Sequence, residues 1–200
     1  DLVSSECAAK LAGRHINFEL LPFSFREVLE QTGIPIRIEA DLLRNRGDID
    51  RAFEDYLLFG GLPERLSIND PLAIRSYLEG IVSKVILDDV IKRYQVENIA
   101  VLEKLLAFIL CSPGQILHYA TLAKRLAALG NAVKDDTVIR YVGYLRSAYA
   151  IFETVRFDWK LARHFETTRK YYGIDVGVMG LFRDSSEHRS FLLENLVYLE

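Results

Sequence analysis

The 200-residue chain contains no G-x-x-x-x-G-K-[ST] run and no G-x-G-x-x-G run. No phosphate-cradling loop is therefore encoded in this stretch. Cysteine is scarce. Cys7 and Cys111 stand far apart, which excludes a zinc-type spacing and a disulfide framework and fits two thiols in a reducing, cytoplasmic compartment. His15, His118, His164 and His188 show no ligand spacing, so no metal site is expected. G-x-S-x-G is absent, and no Cys and His stand close in sequence, which removes support for the common nucleophilic hydrolases. No apolar run reaches the length of a membrane span, and no signal-peptide pattern opens the chain. The formal net charge is -3, so no global basic field announces nucleic acid.

What is present is apolar surface in quantity. Half of the residues are hydrophobic, enough to bury a core. The chain opens without Met, and LLENLVYLE stops inside an apolar helical pattern, which predicts a fragment truncated at both ends. SSECAAKLAG reads as a short helix ended by Gly13. HINFELLPF alternates Ile16, Phe18 and Leu20 against polar neighbours and predicts a strand. Ser24 then caps FREVLEQ, and IDRAFEDYLLF forms a helix that breaks at Gly60–Gly61. Asp70–Pro71 is a strong helix start. From there Leu78, Ile81, Val82, Val85, Ile86 and Val90 recur at helical spacing, predicting one long helix to about Tyr94.

That helix contains KVILDDVIKR, whose apolar run and paired acids imitate a magnesium-binding strand end. The helical period puts Asp88 and Asp89 on a helix surface instead, pairing with Lys92 or Arg93. A further helix runs from Ile99 to Cys111. HYATLAKRLAALG carries Leu122, Leu126 and Leu129 on one face, and DDTVIRYVGYLRSAYA follows a turn. IFETVRF, a connector and YYGI complete a helix, turn, helix, strand, loop, strand order, the winged-helix pattern. GIDVGVMGLF reads as loop with a short apolar segment, and a last helix begins at Ser185 or Ser186. The expected fold is mainly α with a small β component. Its expected divisions are 1–22, 23–112, 113–182 and 183–200.

The ordered series LVSSE with LAGR, LLPFSFREVL, YLLFGGLPE, DDVIKR, TVIRYVGYLRSAYAIFETVRF, KYYGIDVGV and LLENLVYLE resembles a known family. It is an uncharacterised prokaryotic group of AAA-superfamily P-loop ATPases with a C-terminal domain of unknown function. The resemblance implies that 1–22 ends the ATPase core, 23–112 is a helical lid region, 113–182 a winged-helix domain, and 183–200 the first helix of a truncated C-terminal domain. It places the nucleotide motifs, with ATP and magnesium, upstream. This chain alone is expected to hold neither and to be inactive as an ATPase. Arg14 matches the place of an arginine finger, where a permanently charged planar cation reaches a neighbour's phosphate; local pairing with a carboxylate is the alternative. Glu194 matches the first acid of a restriction-endonuclease-like end, and a single carboxylate cannot hold a catalytic metal.

The connector RFDWKLARHFETTRK carries five Lys and Arg against two acids, in a chain that is acidic overall. Arg156, Lys160, Arg163, Arg169 and Lys170 are candidates for phosphate contact. Lys134, Arg140 and Arg146, with Tyr141 and Tyr144, are candidates on the would-be recognition helix, where Asp135 and Asp136 are unfavourable to phosphate. KYYGID is read as structural, with Tyr172 in the core and Asp175 capping a turn. Two functions stay open: contact with duplex DNA, or a protein-interaction module that docks another subunit or a second copy.

Overall fold

The computed structural model describes residues 18–155, 169–182 and 189–200, the side chains of residues 85 and 86 excepted. Ser24 opens α1 (Phe25–Gln31) with a reciprocal cap. Its hydroxyl accepts from Glu27 N at 3.3 Å, and the Glu27 carboxylate accepts from Ser24 N at 2.8 Å. α2 (Glu39–Arg44) and α3 (Arg46–Phe59) follow. α2 has no buried residue and no apolar periodicity, which is why pattern reading missed it. A 3-10 turn spans Pro63–Ser67.

Asp70 caps α4 (Pro71–Gly80), accepting from Ala73 N at 3.0 Å, with proline at the first helical position. The helical run continues through a π-helical segment, Ile81–Leu87, into α5 (Asp88–Tyr94). The expected long helix is therefore present with one widened turn, where the Ser83 hydroxyl bonds back to Glu79 O at 2.9 Å. Asp88 lies 3.6 Å from Lys84 and 4.0 Å from Lys92, and Asp89 2.8 Å from Arg93. Both acids are ion-pair partners along the helix, as their spacing predicted, Asp88 at the surface and Asp89 with its Oδ2 buried.

α6 (Ile99–Leu110) is the centre of the core. Val101, Leu102, Leu105, Leu106 and Ile109 have no exposed surface. Such a helix, apolar nearly all round, must be enclosed by other elements. The enclosing set is β1 (Ile116–Leu117), α7 (Tyr119–Ala128), α8 (Asp135–Ser147), β2 (Ile151–Val155), β3 (Arg169–Gly173), α9 (Val176–Gly180) and α10 (Arg189–Leu199). The described strands form one antiparallel sheet in the order β1-β3-β2. Glu153 stands opposite Tyr171 and Thr154 opposite Lys170. The protein is thus mainly helical with a small antiparallel sheet.

Several expectations need correction. Residues 18–20 form no strand; Phe18 is 83 % exposed and Leu20 91 %. Alternation alone makes no strand without a neighbour to complete the ladder, and no described strand pairs with this segment. Leu129 does not share the buried face of Leu122 and Leu126; it follows the end of α7 and is half exposed. Tyr141 and Tyr144 do not face outward. Tyr141 is buried with its hydroxyl accepting from Asn98 N at 3.1 Å, and Tyr144 stacks on Tyr94 at 4.0 Å between ring centroids. VGVMG, expected within a loop and short apolar segment, is helical, and Asp175, expected to cap a turn, caps this helix.

Candidate functional site

The sheet register assembles a polar cluster inside one face. β2 turns Ile151 and Glu153 to the same side, so Glu153 follows a core residue inward. Its side chain is 8 % exposed. A buried carboxylate needs donors, and three converge here. Arg169 Nη1 donates to Oε1 at 2.5 Å. Arg146 Nη1, from α8, donates to Oε2 at 3.0 Å. The Tyr171 hydroxyl donates to Oε2 at 3.1 Å. That hydroxyl has one hydrogen, so the 2.7 Å bond with Tyr119 runs from Tyr119 to Tyr171. Burial pushes the Tyr171 phenol far up, and its bond with Tyr119 adds to the shift. One carboxylate therefore balances only one of two guanidiniums. Each guanidinium bonds through Nη1 alone, so the other N–H groups of both have no partner among the described residues.

Lys170, next in sequence to Arg169, points to the opposite sheet face. It lies 3.5 Å from Glu194 on α10. A Cβ on Gly114, at φ 69°, would fall on the Glu194 carboxylate, so only glycine permits that approach. The neighbouring Asn195 is buried and grips β3 on both sides, accepting from Gly173 N at 2.7 Å and donating to Gly173 O at 3.1 Å.

A second buried carboxylate lies at the joint between the helical part and the sheet. Asp175 Oδ2 accepts from Gly61 N at 2.7 Å, while Oδ1 accepts from Gly177 N at 2.9 Å and Val178 N at 3.1 Å. Gly60, at φ 73°, has no room for a Cβ beside this carboxylate. Buried Arg65 lies close by, donating to Gly60 O at 3.1 Å and pairing with Asp55 at 2.5 Å. Burial pushes the Asp175 carboxyl up, and the three amides and Arg65 pull it part of the way back. The GGLPE and KYYGID stretches, far apart in sequence, thus form one interlocked joint. A groove of about 160 Å³ beside it is lined by Phe23, Glu27, Tyr56, Asp175 and Glu200.

Of the residues singled out beforehand, Arg146 and Arg169 come together on Glu153, and Lys170 and Glu194 meet on the other face. Lys134 and Arg140 are exposed and carry no ion pair among the described residues. Arg140 and Arg146, six positions apart, lie about 120° apart around α8. Arg14, Arg156, Lys160, Arg163 and the caps Ser185 and Ser186 lie outside the described residues. Glu153, Tyr119, Arg65 and Asn195 were missed. Two had a signal: an acid on the core side of a strand, and an amide on the Leu192–Leu196 face of a helix.

A helical architecture with a small antiparallel sheet narrows the class, and sequence comparison supplies the family. A family model for a domain of unknown function, DUF8612, matches residues 50–188, and the chain belongs to that family. Over this whole chain, an uncharacterized protein of Haemophilus influenzae is 23 % identical, the match covering 48 % of that protein. The uncharacterized protein MJ1544 of Methanocaldococcus jannaschii is 25 % identical, with 44 % of its length covered. The chain spans about half the length of the curated relatives it matches. No solved structure matches.

Asp88 and Asp89 are paired within their helix, and no group of three His, Cys, Asp or Glu residues among the described residues could hold a metal ion.

Proposed function

We propose that this chain is the portion of an AAA-type ATP-binding protein that follows its nucleotide site, and that its sheet-bearing part is a winged helix that contacts duplex DNA through phosphates. The observation that carries the reading is topological. α6, β1, α7, α8, β2 and β3 follow in winged-helix order, with the sheet arranged β1-β3-β2. α8 is the recognition helix, and the stretch between β2 and β3 is the wing. The helical region from α1 to α5 is the lid, and Arg14 upstream is the finger to a neighbouring nucleotide. The ordered sequence motifs support the ATPase parent, and relatives about twice as long leave room for its core.

The phosphate contacts are Lys134 and Arg140 on α8, Arg146 and Arg169 at the sheet, and Arg156, Lys160 and Arg163 between the strands. The test is fluorescence anisotropy of a labelled duplex at two salt concentrations. Binding that falls steeply with salt is expected, and Lys134→Glu with Arg140→Glu weakens it about tenfold. No binding at low salt, or binding that ignores salt, overturns the reading.

A second reading has its own support. Asp135 and Asp136 repel phosphate, Lys170 is paired with Glu194, and Ile139 and Tyr149 are exposed at and just beyond α8. Those features suit a module that docks another protein subunit or a second copy. Salt-insensitive self-association in sedimentation would favour it.

A further inference from the structure

We infer that Arg146 and Arg169 form a clamp for a single phosphate group, and that Glu153 is the positioning residue that holds the clamp open. The occupant is a phosphodiester of a nucleic-acid backbone, which rests on the DNA-contact reading above. Both guanidiniums are anchored on one carboxylate, Arg169 at 2.5 Å and Arg146 at 3.0 Å. Their anchoring nitrogens stand no more than about 8 Å apart, the width of a carboxylate plus two hydrogen bonds, a span that one phosphate can bridge. The charges do not cancel: two cations share one anion, which leaves the unit positive.

The carboxylate is fixed from behind. Tyr171 is fully buried, sits directly across the ladder from Glu153, and donates to it, while Tyr119 donates to Tyr171. The chain of donors leaves Glu153 as the acceptor at its end. The guanidiniums are about half and one-third exposed, so they stand at the boundary between this buried support and solvent. Ordering two long side chains is normally a cost of binding an anion, and here the protein has met it before the anion arrives. A planar fork whose remaining N–H groups have no partner among the described residues suits phosphate oxygens.

The role of Glu153 can be separated from simple charge, because the two ideas predict opposite signs. Glu153→Gln keeps the shape of the residue and raises the local positive charge by one. If Glu153 acts by positioning, inorganic phosphate binds about fivefold more weakly to Glu153→Gln than to the unaltered protein. If charge alone governs the site, phosphate binds more tightly to the variant, and the positioning role is overturned.

The experiment has two arms. In the first, inorganic phosphate is titrated into the protein while the Arg146 and Arg169 Nε–H signals are followed by NMR. Both signals are expected to shift with one saturation curve. A shift of only one signal, or of neither, overturns the clamp. In the second arm, duplex DNA binding is measured against salt for Arg146→Gln, Arg169→Gln and the double variant. One shared phosphate predicts that the double variant lowers the logarithmic salt slope by about 0.9, no more than either single variant. A drop of about 1.8 means two separate phosphates and overturns the clamp. If phosphate shifts both signals but no duplex binds, the DNA reading fails while the anion site stands. Should Glu153→Gln unfold, Arg169→Lys replaces it: charge is kept and the fork is lost, so the Arg146 signal is expected to need about fivefold more phosphate to saturate, and an unchanged midpoint overturns the clamp.

Discussion

Asp175 and Glu153 are both buried carboxylates, yet their donors differ in kind. Asp175 is held by the amides of Gly61, Gly177 and Val178. Glu153 is held by two guanidiniums and a phenol. Backbone amides belong to the fold, and drawing them away from their acceptor would open the chain. Guanidiniums on flexible stems can keep one bond to the carboxylate and offer others to a ligand. Buried carboxylates therefore mark architecture beyond the end of β3 at Asp175 and, on the clamp proposal above, a binding surface at Glu153 within β2. Burial alone does not tell them apart; the chemistry of the donors does.

The largest expected effect breaks the Asp175 side. Asp175→Ala leaves three buried amides unpaired and separates the Gly60–Gly61 turn from α9. A loss of about 4 kcal/mol is expected in chemical denaturation, a large share of the about 5–15 kcal/mol that holds an ordinary domain folded. Gly177→Ala attacks the same joint without touching charge. Its Cβ would meet the carbonyl carbon of Phe59, a backbone atom that cannot move aside alone. About 3 kcal/mol is expected. If either variant keeps wild-type stability, the joint is not the architectural element described here.

The next effect is smaller and lies on the other side of the comparison. Glu153→Gln keeps an acceptor for Tyr171 but weakens both arginine contacts. Stability is expected to fall by only about 1–2 kcal/mol, because both guanidiniums can turn to water. A loss as large as that of Asp175→Ala would make the Glu153 cluster architectural too and would erase the contrast.

Legibility in the sequence followed the same division. Local chemistry was readable: Asp70–Pro71 starts a helix, Ser24 caps one, and Asp88 and Asp89 pair along theirs. Each of those signals is complete within a few residues. Where a partner comes from far away, reading failed or stopped halfway. The alternation at residues 18–20 had no neighbouring strand among the described residues. Tyr141 and Tyr144 read as candidates on the would-be recognition helix because their packing against Asn98 and Tyr94 is a tertiary fact. Arg146 and Arg169 were found by charge, but Glu153 between them was not, since a charge census does not say which residues face each other. Lys170 was grouped with Arg169 although a strand sends neighbours to opposite faces, a signal that period-two reading could have used.

The smallest prediction moves the amide-gripping carboxylate to the surface. Glu27 accepts from Ser24 N, much as Asp175 accepts from Gly61 N, but it is exposed. Without a large desolvation penalty the shift reverses: the backbone and hydroxyl bonds from Ser24 hold the Glu27 carboxyl below its usual value of 4.5. A lowered folded value means that the ionised form favours the folded state. Its contribution is full above about pH 4.5, the unfolded range, and is lost as pH falls through the lower folded value. Ser24→Ala removes the hydroxyl cap and loosens the box, at a cost of about 1 kcal/mol near neutral pH. Denaturation midpoints of the two proteins should therefore converge partly as the solution is acidified below the usual carboxylate range. A gap that stays constant down to strong acid would mean that Ser24 acts through its own hydroxyl alone and that Glu27 contributes nothing. The contrast between buried and exposed amide-bound carboxylates would then rest on Asp175 alone.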